Sequence, residues 1–240
     1  MDRSTCTVFS LGVLEYSSAW EIQNAIAAQI RQKKRPNTIL LVQHPNVYTI
    51  GRRGIRTDVF LSNQELKDFD IQLIETDRGG EVTYHGPGQL IVYPIIDIRG
   101  LGGPSNFVRL LQSAIIDVLE QYQLVSYEVC RRIGVWVSYS PMGGLSIYKD
   151  NKIAAIGLRI NRGISTHGFA LNVNPDLSYF EQIIPCGIRD SGVTSMVKEL
   201  GTEIDVKLLE QKMIMSLSKY LDMEITYGEN VEFYRGLYSL

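Results

Sequence analysis

The sequence predicts an α/β or α+β domain in which a mixed sheet is flanked by helices. Two observations carry this. Short β-branched runs and amphipathic helical stretches neither alternate strictly nor fall into separate blocks. The 240 residues also contain no internal repeat, low-complexity segment or evident linker, which suits one domain over residues 1–240.

The elements follow in order. Ser18, Ala19, Trp20 and Glu21 have the capping-box pattern, and Ile22, Ile26 and Ile30 follow at four-residue spacing. A helix is therefore expected to open at Ser18 and stop before Pro36 and Asn37. Strands are expected at residues 38–43 and 47–51, separated by His44, Pro45 and Asn46. Ser62 and Glu65 repeat the capping box for a short helix, and residues 72–76 form another strand candidate. A glycine-rich stretch at 78–89 precedes a buried strand at 90–98. The clearest helix is 106–122, where Phe107, Leu110, Leu111, Ala114, Ile115, Val118 and Leu119 make a wide apolar stripe. Residues 135–138, 146–148, 152–160 and 168–173 read as strands joined by tight turns, with Asp150 and Asn151 as one such turn. A helix at 206–221 and a strand at 224–227 complete the pattern.

Composition narrows the function. A hydrophobic content of 45% and a charged content of 21% are ordinary for a globular protein. With 24 basic and 26 acidic residues, general nucleic-acid affinity is not expected. Local basic clusters at 31–35 and at Arg52, Arg53 and Arg56 are either solvated faces or a dock for an acidic protein partner. Three scattered cysteines, Cys6, Cys130 and Cys186, are no disulfide framework and imply a reducing compartment. No apolar run approaches a membrane span, and residues 1–14 lack secretory or transit character, so a cytoplasmic protein is expected.

Candidate chemistry is concentrated in a few places. Cys186 lies between Pro185, which fixes its own φ, and Gly187, which widens the backbone choices. Taken alone, such a thiol reads first as a small buried hydrophobe, and second as a group held on a turn for chemistry. The stretch 78–89 holds Gly79, Gly80, Gly86 and Gly88, but matches neither a P-loop nor the dinucleotide-binding glycine pattern. With Arg78, Thr83, Tyr84 and His85 it is either the wall of a ligand pocket or a hairpin. Lys152 reads as a solvated gatekeeper at a turn-to-strand junction. Ala154, Ala155 and Gly157 leave room beside its strand for a chain-like ligand, and Phe169, Ala170 and Leu171 add apolar surface. Metal binding finds little support, because His44, His85 and His167 are far apart and no Cys/His pair has zinc-ligand spacing. A Cys–His–Asp arrangement with His85 or His167 is open; spacing alone does not establish one.

Four segments in order, RGGEVTYHGPGQLIVYP at 78–94, KIAAIGLRI at 152–160, HGFALNVNPDL at 167–177 and IIPCGI at 183–188, resemble the lipoyl(octanoyl) transferase family. These are the octanoyl-[acyl-carrier-protein]–protein N-octanoyltransferases of lipoate biosynthesis, and the likeness runs from about residue 11 to 201. The resemblance implies the biotin/lipoate protein ligase-like fold, with no cofactor and no metal. It implies Cys186 as acyl-thioester nucleophile and Lys152 as the partner that lowers its pKa. It also implies an acyl and acceptor-lysine pocket lined by Arg78, Gly79, Gly80, Glu81, Val82, Thr83, Tyr84 and His85, by Ala155, Ile156 and Gly157, and by Gly168, Phe169 and Ala170. The implied donor is octanoyl-acyl carrier protein. The implied acceptors are lipoyl domains of 2-oxoacid dehydrogenase complexes and the glycine cleavage H protein. A monomer without nucleic-acid or membrane partners is expected. His85 and His167 are assigned pocket-lining roles, and Asp176 and Asp190 turn or cap roles. Rival readings are an ATP-dependent lipoate or biotin ligase, against which Cys186 argues, a related octanoyl amidotransferase, and a non-catalytic acyl-binding protein.

Overall fold

The strands at the centre of the main sheet are apolar throughout because both their faces are covered. In the computed structural model, which describes residues 4–139, 149–184, 191–229 and 233, β6 (Gln89–Ile95) and β10 (Ile164–Asn172) are buried at every position. They belong to a mixed sheet that also contains β1 (Ser4–Val13), β2 (Asn37–Gln43), β7 (Tyr127–Val129), β8 (Arg132–Tyr139), β9 (Lys149–Asn161) and β12 (Met223–Tyr227). Its order is β12-β1-β2-β6-β10-β9-β8-β7, and a short strand β11 (Gly192–Val193) pairs with β9. Pairings of β1 with β2 and β12, and of β9 with β11, are parallel; the others are antiparallel.

Period-two alternation divides the side chains between two cores. Ile39, Leu41, Leu90 and Val92 pack with Phe107, Leu111 and Ile115 of α3 (Pro104–Glu120) and with Leu209, Met213 and Leu217 of α5 (Val206–Leu221). Their neighbours Leu40, Val42, Ile91 and Tyr93 face Ala19, Ile22 and Ile26 of α1 (Tyr16–Arg31). A second, small sheet has the order β4-β3-β5, built from β3 (Val47–Ile50), β4 (Gln72–Glu75) and β5 (Val82–His85). Its apolar face packs on α2 (Asn63–Asp68) and on a 3-10 turn at Leu177–Gln182. The remaining helix is α4 (Met196–Leu200). No helix among the described residues is long and apolar enough to cross a membrane.

Most expected elements are present, and the exceptions have physical reasons. Ser62 and Glu65 form the full capping box of α2. The box expected at Ser18 is not formed: α1 begins at Tyr16 with Glu15 as its N-cap. Starting two residues earlier buries the Tyr16 ring beneath the main sheet. Asp150 and Asn151 are no turn, because they pair with Ser138 and Val137 of β8 inside a longer strand. The partner expected at 146–148 lies outside the described residues. Within the glycine-rich stretch, Val82–His85 is a strand against β3. The unforeseen β1 places Cys6 in the core, where burial pushes its thiol up to about 12 and leaves it inert.

Candidate active site

Close approach of backbones builds the site. Gly157 of β9 lies opposite Gly168 of β10. A Cβ on Gly168 would come within 1.9 Å of the Val92 carbonyl oxygen, and one on Gly157 within 2.8 Å of the Gly79 carbonyl oxygen. The loop before β5 therefore rests directly on β9, where Gly79 N–H donates to the Leu158 carbonyl at 3.1 Å. The small sheet is thereby anchored over the main one, leaving a cleft of about 700 Å³ between them. That is within the usual size range of small-molecule sites.

Arg78 holds this loop in shape. Its buried guanidinium donates to Thr49 Oγ1 (3.0 Å), the Thr49 carbonyl (2.7 Å), the Gly79 carbonyl (3.0 Å) and the Glu81 carbonyl (2.7 Å). Gly79, Gly80, Glu81, Thr83 and His85 line the cleft, as do Ala155, Ile156, Gly157, Gly168, Phe169 and Ala170. Val82 and Tyr84, expected in the same wall, are absent from that lining because alternation along β5 turns them to the opposite face. There Tyr84 stacks on Tyr179 at 4.8 Å and meets Phe180.

Lys152 also lines the cleft, and it is no solvated gatekeeper. It sits inside the sheet, paired with Trp136 on one side and Val193 on the other, and is 7% exposed. Its Nζ lies 4.7 Å from the Trp136 ring centroid, a cation–π distance. Gly134, at φ +131°, makes room for its stem: a Cβ there would lie 3.2 Å from Lys152 Cε and 2.7 Å from the Ala154 carbonyl oxygen. Cys186 lies outside the described residues. The described residues that flank it are tied to the cleft's elements. Ile184 N–H donates to the Asp58 carbonyl at 2.8 Å, Ser191 Oγ accepts from Arg132 at 2.8 Å, and Gly192 and Val193 pair with Asn151 and Lys152.

The three histidines, far apart in sequence, converge beneath the cleft around Tyr16. Tyr16 stacks on His85 (5.8 Å between centroids) and tilts against His44 (5.2 Å), and its hydroxyl is 3.3 Å from His167 Nδ1. His44 Nδ1–H donates to the Leu14 carbonyl at 2.5 Å, so its Nε2 accepts from the Tyr93 hydroxyl at 2.7 Å. Burial holds His44 neutral, its pKa lowered to about 4. His167 has φ +57° inside a strand, its backbone N–H held by Gln23 Oε1 at 2.7 Å. Its Nε2–H donates to Asp77 at 2.7 Å. That carboxylate would favour an imidazolium, but Arg159 shares it. Burial first, then the charges of Arg78 and Arg159, bring His167 down to about 3. His85 lies well below 6.5 through burial, His44 and Arg78. Among the described residues no group of three or more His, Cys, Asp or Glu is placed to hold a metal ion.

Other cleft residues were not foreseen as such. Arg52 and Arg53 come from the loop after β3, and Arg131, Arg132 and Ile133 from the β7–β8 turn and the start of β8. The basic pair Arg52 and Arg53 was visible in the sequence; nothing there linked it to Arg131 and Arg132. Arg56, the third member of that cluster, instead donates to the Val59 and Leu61 carbonyls.

Residues 15–218 match the family model described as lipoyl protein ligase A/B catalytic domain. An octanoyltransferase of Chloroflexus aggregans is 40% identical over 221 residues, covering 91% of this chain and 96% of that protein. An octanoyltransferase of Alkaliphilus metalliredigens is 40% identical over 220 residues, again covering 91% and 96%. Among solved structures, the bipartite lipoate protein ligase of Thermoplasma acidophilum superposes with a TM-score of 0.70 at 15% identity, covering 98% of this chain and 90% of that one. At that identity the likeness speaks for a shared fold.

Proposed function

Because the chain belongs to the lipoyl protein ligase A/B catalytic-domain family, we propose that it is an octanoyltransferase of lipoate biosynthesis, moving the acyl group through a Cys186 thioester. The donor is octanoyl-acyl carrier protein. The acceptors are lysines of lipoyl domains in 2-oxoacid dehydrogenase complexes and of the glycine cleavage H protein. The observation that carries the reading is the buried Lys152 side chain on the wall of a cleft also lined by Ala155, Ile156, Phe169 and Ala170.

A cysteine thiol with pKa near 8.5 is about 3% ionised at pH 7. A drop of about two units makes it roughly three-quarters thiolate, which needs about 2.7 kcal/mol of interaction. One ammonium close by in a partly desolvated site is a sufficient source. The pairing of Val193 with Lys152 supports such proximity, since β11 begins six residues after Cys186.

In the first half-reaction the thiolate attacks the carrier thioester, a new C–S bond forms, and the carrier thiolate leaves with a proton from Lys152. Thioester exchange is nearly balanced in free energy, so no nucleotide is consumed. In the second, the neutral acceptor amine attacks, a C–N bond forms and the enzyme C–S bond breaks. Lys152 takes the amine's proton, which restores the ammonium–thiolate pair. A ligase that activates its acid as an adenylate has no need of the cysteine.

Incubation with octanoyl-acyl carrier protein, without ATP, should leave one octanoyl mass adduct on the intact protein. Its absence, or its persistence in Cys186→Ala, would sink the reading.

A further inference from the structure

A line of hydrogen bonds links His85 to Lys152 across the two sheets. Asn172 Nδ2 donates to the Thr194 carbonyl at 2.9 Å, which leaves Asn172 Oδ1 as an acceptor. Gln89 Nε2 donates to that Oδ1 at 2.9 Å and to the Tyr84 carbonyl at 3.3 Å, which leaves Gln89 Oε1 as an acceptor. His85 Nδ1 lies 3.2 Å from Gln89 Oε1, so Nδ1 must carry the hydrogen. At the far end, Thr194 N–H donates to the Lys152 carbonyl at 3.0 Å. Gln89 and Asn172 are both buried, so water does not compete for these groups.

The consequence is a bare imidazole nitrogen. His85 Nε2 has no protein partner among the described residues, and it is not among the buried side-chain atoms sealed without one. It opens on the cleft that His85 lines. That cleft is crowded with groups that only donate, Arg52, Arg53, Arg78, Arg131 and Arg132, and Lys152, once it has given up its proton, is engaged in taking the one the amine loses. The cleft's carboxylate, Glu81, is paired with Arg53 at 3.0 Å. An incoming amine brings N–H groups and one lone pair, and it reacts only when that lone pair faces the acyl carbon. A neutral acceptor that takes one N–H sets this orientation.

We propose that Gln89 and Asn172 are positioning residues that lock His85 as its Nδ1–H tautomer, so that its bare Nε2 receives an N–H of the acceptor lysine amine. The proposal rests on the acyl-transfer reading and deepens its second step. The groups facing His85 keep its ring neutral, as the lock requires. Tyr16 of α1 stacks on it, and His44 beyond β2, Arg78 before β5 and His167 of β10 all oppose a positive charge there. The Asp77 carboxylate is taken by His167 and Arg159.

The chain has three histidines, so a ¹⁵N-histidine NMR spectrum of the full protein is assignable by single substitutions. The expected tautomers are Nδ1–H for His44 and His85 and Nε2–H for His167; Nε2–H at His85 overturns the lock. Gln89→Leu should shift His85 toward the other tautomer and slow acyl transfer to amine by about tenfold, the loss of roughly one hydrogen bond. Formation of the acyl adduct should stay within about twofold, because the acceptor lysine takes no part in that step. Equal slowing of both half-reactions would overturn the proposal. Gln89→Glu preserves side-chain shape and places a carboxylate at Nδ1, which raises the His85 pKa. Protonation of the acceptor amine slows the step in both proteins as pH drops, and Gln89→Glu should add a further fall through the new His85 pKa that the wild type lacks; a Gln89→Glu profile parallel to wild type also counts against the lock. A wild-type protein that never takes the acyl group defeats the functional reading and the amine's part in this one, while the spectrum still decides the tautomer.

Discussion

At the residue scale, the site depends on neutral rings and one buried ammonium, and each has a measurable signature. Lys152→Ala removes the charge proposed to stabilise the thiolate. The apparent thiol pKa from alkylation rate against pH should then rise toward the free-cysteine value near 8.5; an unshifted profile would end the assigned role. The buried histidines make a different prediction. His44 at about 4 and His167 at about 3 both lie below the unfolded value of 6.5. Below pH 6.5 the unfolded chain takes up protons that the folded rings refuse. Stability is therefore full above about pH 7 and falls as pH drops toward the folded pKa values. At pH 5 the two together cost about 4 kcal/mol, and His85 adds in the same direction. Urea unfolding at pH 7.5 and pH 5 should show a clearly lower midpoint in acid, and equal midpoints would mean that the rings are protonated in place. None of this convergence was legible in the sequence, where His44, His85 and His167 are spread over more than half the chain. Only the topology, with β6 between β2 and β10, brings them around Tyr16.

At the element scale, local patterns fixed what depends on local physics and failed where tertiary contacts outweighed it. The apolar stripe of α3 and the capping box of α2 are properties of a few turns, and both are present. Helix α1 starts ahead of the Ser18 box because burial of Tyr16 outweighs a side-chain cap worth about 1 kcal/mol. The Asp150–Asn151 pair looked like a turn because its dipeptide favours one, yet β8 and β11 hold it extended from both sides. The glycine-rich stretch reads in sequence as pocket wall or hairpin, and it is partly each: a loop seated on β9 leads into β5. The closeness of that seat is testable. Gly157→Ala places a Cβ within 2.8 Å of the Gly79 carbonyl oxygen and must lift the loop that Arg78 organises. Thermal stability should fall by about 1–3 kcal/mol, the ordinary cost of overpacking. Activity should fall as well, by at least tenfold at a temperature where the variant is fully folded, because the cleft wall moves. An active variant of lowered stability would show that the seat serves folding alone.

At the scale of the whole molecule, the charge distribution contradicts the net charge. The chain carries −2 overall, but six cationic side chains and one carboxylate line the cleft. They come from both lips: Arg52 and Arg53 beside the small sheet, Arg131 and Arg132 at the turn between β7 and β8. Half of this was legible, since adjacent arginines at 52 and 53 already suggested a dock for an acidic partner. The other half was not, because 78 residues separate Arg53 from Arg131 and only the sheet order sets them across one opening. The structure also sorts the arginines by availability. Arg53 is paired with Glu81, and Arg132 is bonded to Ser191 and lies 3.8 Å from Asp150. Arg52 and Arg131 are exposed, and among the described residues their side chains have no carboxylate partner. These two should therefore contribute most to attraction of an acidic carrier. Such attraction acts on encounter more than on chemistry, and is screened over about 8–10 Å at physiological salt. Arg52→Glu with Arg131→Glu should raise KM for the acyl carrier substrate by about tenfold or more at low ionic strength, with kcat held within about twofold. The difference from wild type should shrink as salt is added. A small octanoyl thioester without a protein carrier should be used equally well by both proteins. A KM that does not respond to the double substitution, or a defect that persists with the small thioester, would place the carrier elsewhere and leave the cationic mouth to the chemistry inside it.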